Sequence, residues 1–539
     1  MSKLSKLFTE QPIDVQNRSG FDMSHENFLT MKVGTLTPVL VEEVIPNETY
    51  DLGYLSQIQM PPLATDFYGR VDLRLEAFFV PNRIIWGGWQ NFMTMPVNNP
   101  YATGVVRPLT VPYLTITATT ASAVTTNLGA GTLADYLGVK VDYGTGTGTT
   151  SVSIPNILPF LAYHKIYDDW YRNSKIQLPV FSKPSLGTAI YASSLKYAPW
   201  ASNTLAYDNF YISNHELGDG EDILSLRQRN WAKDYFTTAS LYPQASGNMN
   251  GATFSTNSST ASIASVRAAN TLQRWLDRNN VAGERYADQI KATFGCYPSD
   301  STTDRAIFLG ADSIGIYNKS VFTTSEQAST LQTNNNPFAG RVGSKSANAS
   351  AFGDGKLIDS FKTTEHGWIM VLASIVPHAT YSTGTRRQFF RRQIGDYANP
   401  LLQGLGEQVI FGEELQDRLP IDSSSRTTFG YQQQYSEYKY HSDEVHGLLR
   451  DGSSLESFAL QRSFKDGNAP TLGYDFISIP TDFMDQVTAT ESTLSEYGAW
   501  ANFYWNFKKV SPLSEYVIPT LGDLKDTHKE TIPYRGTML

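Results

Sequence analysis

A single cysteine, Cys296, in 539 residues excludes an intrachain disulfide framework and a multi-cysteine zinc site, and it fits synthesis in a reducing compartment. Positive charge is also short. The 43 Lys and Arg face 52 Asp and Glu, a formal charge of −9, so the mean field repels polyanions. Any contact with nucleic acid must then be local or shared with a basic partner. No apolar run approaches the roughly 18 residues of a membrane helix. The first stretch, MSKLSKLFTEQPIDVQ, holds no apolar run of the secretory kind. The expectation is a protein made and used in solution, without membrane insertion. Internal repeats are absent, and the GTGTGTT of Gly144 to Thr150 lacks the lysine of a phosphate loop.

Rings, by contrast, are abundant: 30 Tyr, 28 Phe and 9 Trp make up 12% of the chain, and such residues favour strands and protein interfaces. With 41% hydrophobic residues the composition is that of a globular protein. The length would serve roughly three or four average domains, or one β sandwich with long insertions.

The stretch Tyr68 to Pro81, YGRVDLRLEAFFVP, is the one around which the rest of the chain is organised. Val71, Leu73, Leu75, Ala77 and Phe79 alternate with Arg70, Asp72, Arg74 and Glu76, which predicts a strand with one dry face and one facing water or polar contacts. Pro81 ends it, and the aromatics of IIWGGWQNF just beyond need a second surface. Asn27 to Pro46, with Pro38 inside, reads as a bent or edge strand. His366 to Pro377 is an apolar run of buried-strand length, while Thr427 to Lys439 and Trp500 to Val510 alternate as strands, the latter with Phe503, Trp505 and Phe507 on one face. Phe160 to Asn173 predicts an amphipathic helix started by Pro159. Ser262 to Phe294 predicts two helices around a turn. Residues 96–153, 178–294 and 323–356 read as insertions, with GTLADYLGV as a helical turn within the first, and residues 1–20 as an N-terminal arm. Strands far apart in sequence joined by long connections predict a mainly β, single-domain sandwich with enlarged loops.

Candidates for chemistry are few. His441 and His446 in HSDEVH are five residues apart, which does not set both on one helical face, so a structural loop is the expectation. Asp168 and Asp169 diverge by about 100° on a helix and predict a solvated face. Cys296 has no neighbouring base or cation to activate it and reads as a packed thiol. The basic cluster with interleaved rings is TRRQFFRRQ, Thr385 to Gln393. There Arg386, Arg387, Arg391 and Arg392 can meet phosphates while Phe389 or Phe390 stacks on an unpaired base. The same residues also suit a subunit interface in which the arginines meet a neighbour's carboxylates, and the acidic surplus favours that reading. No catalytic, metal or cofactor site is expected.

Nine stretches in order resemble one family, the major capsid proteins of gokushovirus-type Microviridae, small tailless single-stranded DNA phages. They are FDMSH (Phe21 to His25), FFVPNRIIWGGWQNFM (Phe78 to Met93), GTLADYLG (Gly131 to Gly138), LPFLAYHKIYDDWYRNSKI (Leu158 to Ile176), KDYFTTASLYPQ (Lys233 to Gln244), GERYADQIKATFG (Gly283 to Gly295), EHGWIMVLASI (Glu365 to Ile375), LGEQ (Leu405 to Gln408) and FGYQQQYSEYKY (Phe429 to Tyr440). The resemblance implies an eight-stranded antiparallel jelly roll with large insertions, about sixty copies of which close a T=1 icosahedral shell around circular single-stranded DNA. It implies as partners a small basic internal DNA-binding protein, a minor capsid or pilot protein and a bacterial surface receptor met by exterior loops. Assembly is expected in the host cytoplasm and residence in the virion. Only Ala245 to Ala261 lies free of motif where the family carries a long variable insertion, so a small or absent threefold protrusion is expected. The alternative from another class is a soluble β-sandwich carbohydrate-binding protein or glycosidase, in which rings line a sugar groove and paired carboxylates hydrolyse it.

Overall fold

Ten strands form two antiparallel sheets with one apolar core between them. They are β1 (Ser19–Asp22), β2 (His25–Met31), β3 (Thr37–Val44), β4 (Thr49–Gln59), β5 (Val71–Pro81), β6 (Ile307–Gly315), β7 (Tyr317–Phe322), β8 (Lys345–Lys362), β9 (Gly367–Pro377) and β10 (Ala499–Ser511). The computed structural model describes residues 18–86, 89–94, 111–118, 128–140, 150–177, 181–182, 195–198, 211–212, 224–242, 305–322, 345–417, 426–465, 470–488 and 493–513, with isolated positions between 267 and 295. Six strands make one sheet in the order β1-β10-β4-β8-β7, with β2 also paired to β10. Four make the other, β6-β5-β9-β3.

Side-chain alternation explains the six-stranded sheet. On β10 the inward residues Phe503, Trp505 and Phe507 are fully buried, with Tyr50 of β4 stacked on Phe507 and Tyr54 of β4 beside Trp505. Burying each such ring stabilises by roughly 1.5 to 3 kcal/mol. Strand β9 is apolar throughout because both of its faces are covered. Ile369, Val371, Ala373 and Ile375 enter the core between the sheets, while Trp368, Met370 and Leu372 enter a second core outside the four-stranded sheet. Pro38 sits at a register shift where β3 pairs with β9, at the edge of the sheet as a proline requires. The segment expected there as one bent strand is in fact two, β2 and β3, placed in different sheets.

Strand β5 has the expected dry face. Its charged face meets protein rather than water, because the second core lies over this side of the sheet. Asp72 is met by Arg70 at 3.0 Å and His378 at 3.1 Å. Glu76 is met by Arg229 at 2.7 Å and by the Tyr171 hydroxyl. Phe78, Val80 and Trp86 continue into the second core beside Phe160, Leu161 and Tyr163, with Trp89 and Phe92 packed against it.

The helix expected at Phe160 spans Leu158–Ile166 and passes into a π turn at Tyr167–Tyr171. It is not amphipathic: Leu158, Phe160, Leu161, Ala162, Tyr163, His164 and Ile166 are all buried, since the helix is wedged against the sheet. For the same reason Asp168 and Asp169 do not form a solvated face. Asp168 pairs with Arg172 at 2.7 Å, and Asp169 pairs with Lys165 at 3.3 Å and accepts the Ala306 amide at 2.8 Å.

The insertion expected over 323–356 gives way at Lys345 to β8, which runs through the six-stranded sheet. Its inward residues are Ala347, Ala349 and Ala351, and their small side chains disguise a strand as low-complexity sequence. Within 178–294, the segment holding Trp231, Tyr235 and Phe236 threads into the cores. The expected turn at Leu133–Tyr136 is present, capped by Thr132. Arg18 and β1, at the end of the expected arm, join the edge of the sheet, where Ser19 pairs with Ser511. Cys296, most of the GTGTGTT stretch, Ala245 to Ala261 and nearly all of Ser262 to Phe294 lie outside the described residues.

Candidate functional site

After β9 the chain leaves the sandwich. Thr380–Tyr381 pairs in parallel with Asp443–Glu444, and a hairpin of Glu407–Phe411 with Thr428–Gln433 stands beside it. A third core of Tyr235, Phe236, Tyr381, Ile410, Leu415, Phe429 and Phe476 holds this lobe together. Gly384 turns the chain toward the arginines at φ +97°, where a Cβ would stand 2.2 Å from the Glu414 carbonyl oxygen. Only glycine fits there. Arg387–Phe390 then forms a single 3₁₀ turn.

The structure brings the predicted cluster together and supplies most of its counter-charges from the same chain. Arg386 grips Glu444 through Nε at 2.8 Å and Nη2 at 2.5 Å. Arg387, largely buried, donates to Glu414 at 2.7 Å and to the Val409 carbonyl, and its guanidinium lies 4.4 Å above the Phe411 ring. Arg391 meets Glu437 at 3.1 Å and lies 4.2 Å from the Tyr438 ring. Burial pushes the Glu414 carboxyl up, against the pull of Arg387. Burial also works to raise Glu444, but the Arg386 hydrogen bonds override it and hold that carboxyl below its ordinary range. Phe390 is buried against Phe411 and Arg426.

Two members remain accessible. Arg392 is exposed, and among the described residues its side chain meets no carboxylate. Phe389 projects into solvent. The carboxylates already bound to Arg386, Arg387 and Arg391 compete with any phosphate for those guanidinium groups.

A cleft of about 720 Å³ opens beside the turn, bounded by Arg386, Phe389, Tyr440, His441, His446 and Arg450. His441 and His446 both lie on the surface, and His446 Nε2 approaches Glu444 at 3.1 Å. Among the described residues no three His, Cys, Asp or Glu side chains stand close enough to share a metal ion.

The residues that sequence reasoning missed follow directly. In IGDYANPLLQGL, from Ile394 to Leu405, Ile394 and Leu401 are 93% and 90% exposed. The loop is nonetheless held in shape. Asp396 accepts the amides of Arg392 and Gln393 at 2.8 and 2.9 Å, and Asn399 accepts that of Leu401 at 3.0 Å. Their signal in the sequence is a pair of large apolar residues without period, set among Gly, Asp and Asn-Pro punctuation. The loop thus holds two bare aliphatic side chains in a fixed backbone, with Tyr397 between them in sequence also exposed.

The chain matches the model of the family described as Capsid protein (F protein) over residues 12–250 and 251–521. It is 24% identical to the Capsid protein VP1 of Chlamydia phage 1, over 96% of this chain and 98% of that one. It is 25% identical to the Capsid protein VP1 of Bdellovibrio phage phiMH2K, over 95% and 97%, and 23% identical to the Capsid protein VP1 of Spiroplasma virus 4, over 94% and 95%.

Proposed function

The chain belongs to the Capsid protein (F protein) family, and from that premise we propose that it tiles a T=1 icosahedral shell of about sixty copies closed around circular single-stranded DNA. It is a structural capsid protein of a virion, not an enzyme, and the carbohydrate-active alternative falls away with the family membership. The sandwich is read here as an eight-stranded jelly roll. What supports this is the distribution of strands between the sheets: β2, β4, β8 and β10 in one, β3, β5, β6 and β9 in the other, in the orders β2-β10-β4-β8 and β3-β9-β5-β6. That is the winding of two Greek keys.

The observation that carries the assembly reading is the ordered loop with bare Ile394 and Leu401. A neighbouring subunit covers it. Arg386, Arg387 and Arg391, just before the loop, are already held by carboxylates of their own chain, while Arg392 is left to meet an acidic group of the neighbour. A chain of charge −9 also needs a small basic partner to neutralise packaged DNA. A minor capsid or pilot protein completes the particle, exterior loops meet a bacterial receptor, and assembly takes place in the host cytoplasm.

The double variant Ile394→Asp, Leu401→Asp tests the interface. Sedimentation and negative-stain images are expected to show folded single subunits where the unmodified chain gives closed particles. Normal shells from the double variant would remove the loop from the interface.

A further inference from the structure

The loop that carries Ile394 and Leu401 is not shaped by its own sequence alone. One short segment, Gln434 to Tyr438, holds it at three points. The Gln434 amide donates to the Gly406 carbonyl at 3.2 Å, the Tyr435 hydroxyl donates to the Gly395 carbonyl at 3.2 Å, and the Ala398 amide reaches the Tyr438 hydroxyl at 3.5 Å. The entry, middle and exit of the loop are thus tied to a single support. All three ties fall on backbone groups of the loop, which leaves Ile394 and Leu401 uncommitted.

The support is fixed in turn by one carboxylate. Glu437 accepts from Arg391 at 3.1 Å and from Gln408 Nε2 at 2.6 Å, with the Arg391 and Glu437 side chains both largely buried. Gln408 Oε1 accepts the Tyr435 amide at 3.1 Å. That bond holds Tyr435 at φ +63°, a left-handed conformation that bulky residues rarely adopt. Arg391 links the two sides. Its guanidinium lies 4.2 Å from the ring centroid of Tyr438 in the support and 5.9 Å from that of Tyr397 in the loop, both within the roughly 6 Å over which a ring face attracts a cation.

This arrangement bears on docking. A loose loop gives up backbone and side-chain freedom when a partner covers it, and that ordering subtracts from affinity. Here the order is already built into the single subunit. We propose that Arg391 and Glu437 are positioning residues for assembly, holding the loop in the shape that a neighbouring copy of this chain accepts. The proposal rests on the reading of the loop as a subunit contact. Ile394 and Leu401 make that contact, and the ion pair acts through the loop's shape.

The test uses the full-length chain. In unassembled subunits carrying Arg391→Met with Glu437→Gln, which removes both charges together, the amides from Asp396 to Leu402 should exchange with deuterium about tenfold faster or more. The subunit concentration at half assembly, followed by light scattering, should rise by about tenfold or more. Tyr438→Ala should do the same, whereas Tyr438→Phe, which keeps the ring against the guanidinium, should match the unmodified chain. Ala349→Leu is the control for stability alone. It disturbs the core between the sheets and leaves the loop untouched, so its folded subunits should keep both the slow exchange and the assembly. Unchanged loop exchange in the charge-free variant would overturn the proposal, as would an assembly defect no greater than that of Ala349→Leu at equal thermal stability. A loosened loop with normal assembly would also overturn it, while Ile394→Asp with Leu401→Asp still blocks particles. Normal particles from that last variant would instead remove the contact reading, and the proposal with it.

Discussion

Glu76 stands on the outer side of β5, where burial alone would lift its carboxyl above the ordinary 4.5; the Arg229 guanidinium at 2.7 Å and the Tyr171 hydroxyl override that and hold it lower. The stability it contributes is therefore fully present above pH 4.5 and is lost as the pH falls through the lowered value. Arg229→Met leaves a buried carboxylate without its cation and should destabilise the subunit by about 3 to 5 kcal/mol at neutral pH. Thermal unfolding across pH checks this: the gap between variant and unmodified chain should narrow below pH 4.5, and a gap independent of pH would contradict the assignment. Gly384 makes a second prediction at this scale. Alanine there would be strained at positive φ and would collide with the Glu414 carbonyl. A loss of at least about 1 kcal/mol is expected in denaturant titrations, together with disorder of the arginine turn.

Among the elements, β8 shows how a strand escapes sequence reading. Its inward Ala347, Ala349 and Ala351 carry too little apolar surface to announce a period. Their size is set by the sheet that faces them, so Ala349→Leu should cost about 1 to 3 kcal/mol through overpacking. Trp505→Ala on β10 should cost about 3 to 5 kcal/mol through the cavity it leaves. Equilibrium unfolding measures both, and a neutral Ala349→Leu would mean that the two sheets stand farther apart than described. Strands β9 and β10 were legible because their large side chains follow the burial of one face or two. The segment split into β2 and β3 was only half legible, since Pro38 marks an edge without saying which sheet owns it. Helix Leu158–Ile166 was found but misjudged, because the layer that buries its far side is gathered from distant segments. The arginine turn was visible as a cluster of charge. Its partners Glu414, Glu437 and Glu444 lie 27, 46 and 58 residues from the arginines they meet, a separation no local pattern reports.

For the whole molecule, charge and apolar surface oppose each other. Subunits of charge −9 repel at long range, while the loop bearing the exposed Ile394 and Leu401 is the proposed source of attraction at contact. Raising ionic strength screens the first and spares the second. Assembly of purified subunits, followed by light scattering, should therefore quicken as salt rises from low to moderate. Slowing over that range would place attractive ion pairs in control of the encounter.

Strand β10, which begins at residue 499, lies between β4 on one side and β1 and β2 on the other. A ribosome must therefore deliver the chain through residue 511 before the hydrogen bonds of that sheet can close. A nascent product that stops short leaves β4 with an open edge and the core without Phe503, Trp505 and Phe507. Translation products cut short before β10 are thus expected to misfold rather than to compete with intact subunits.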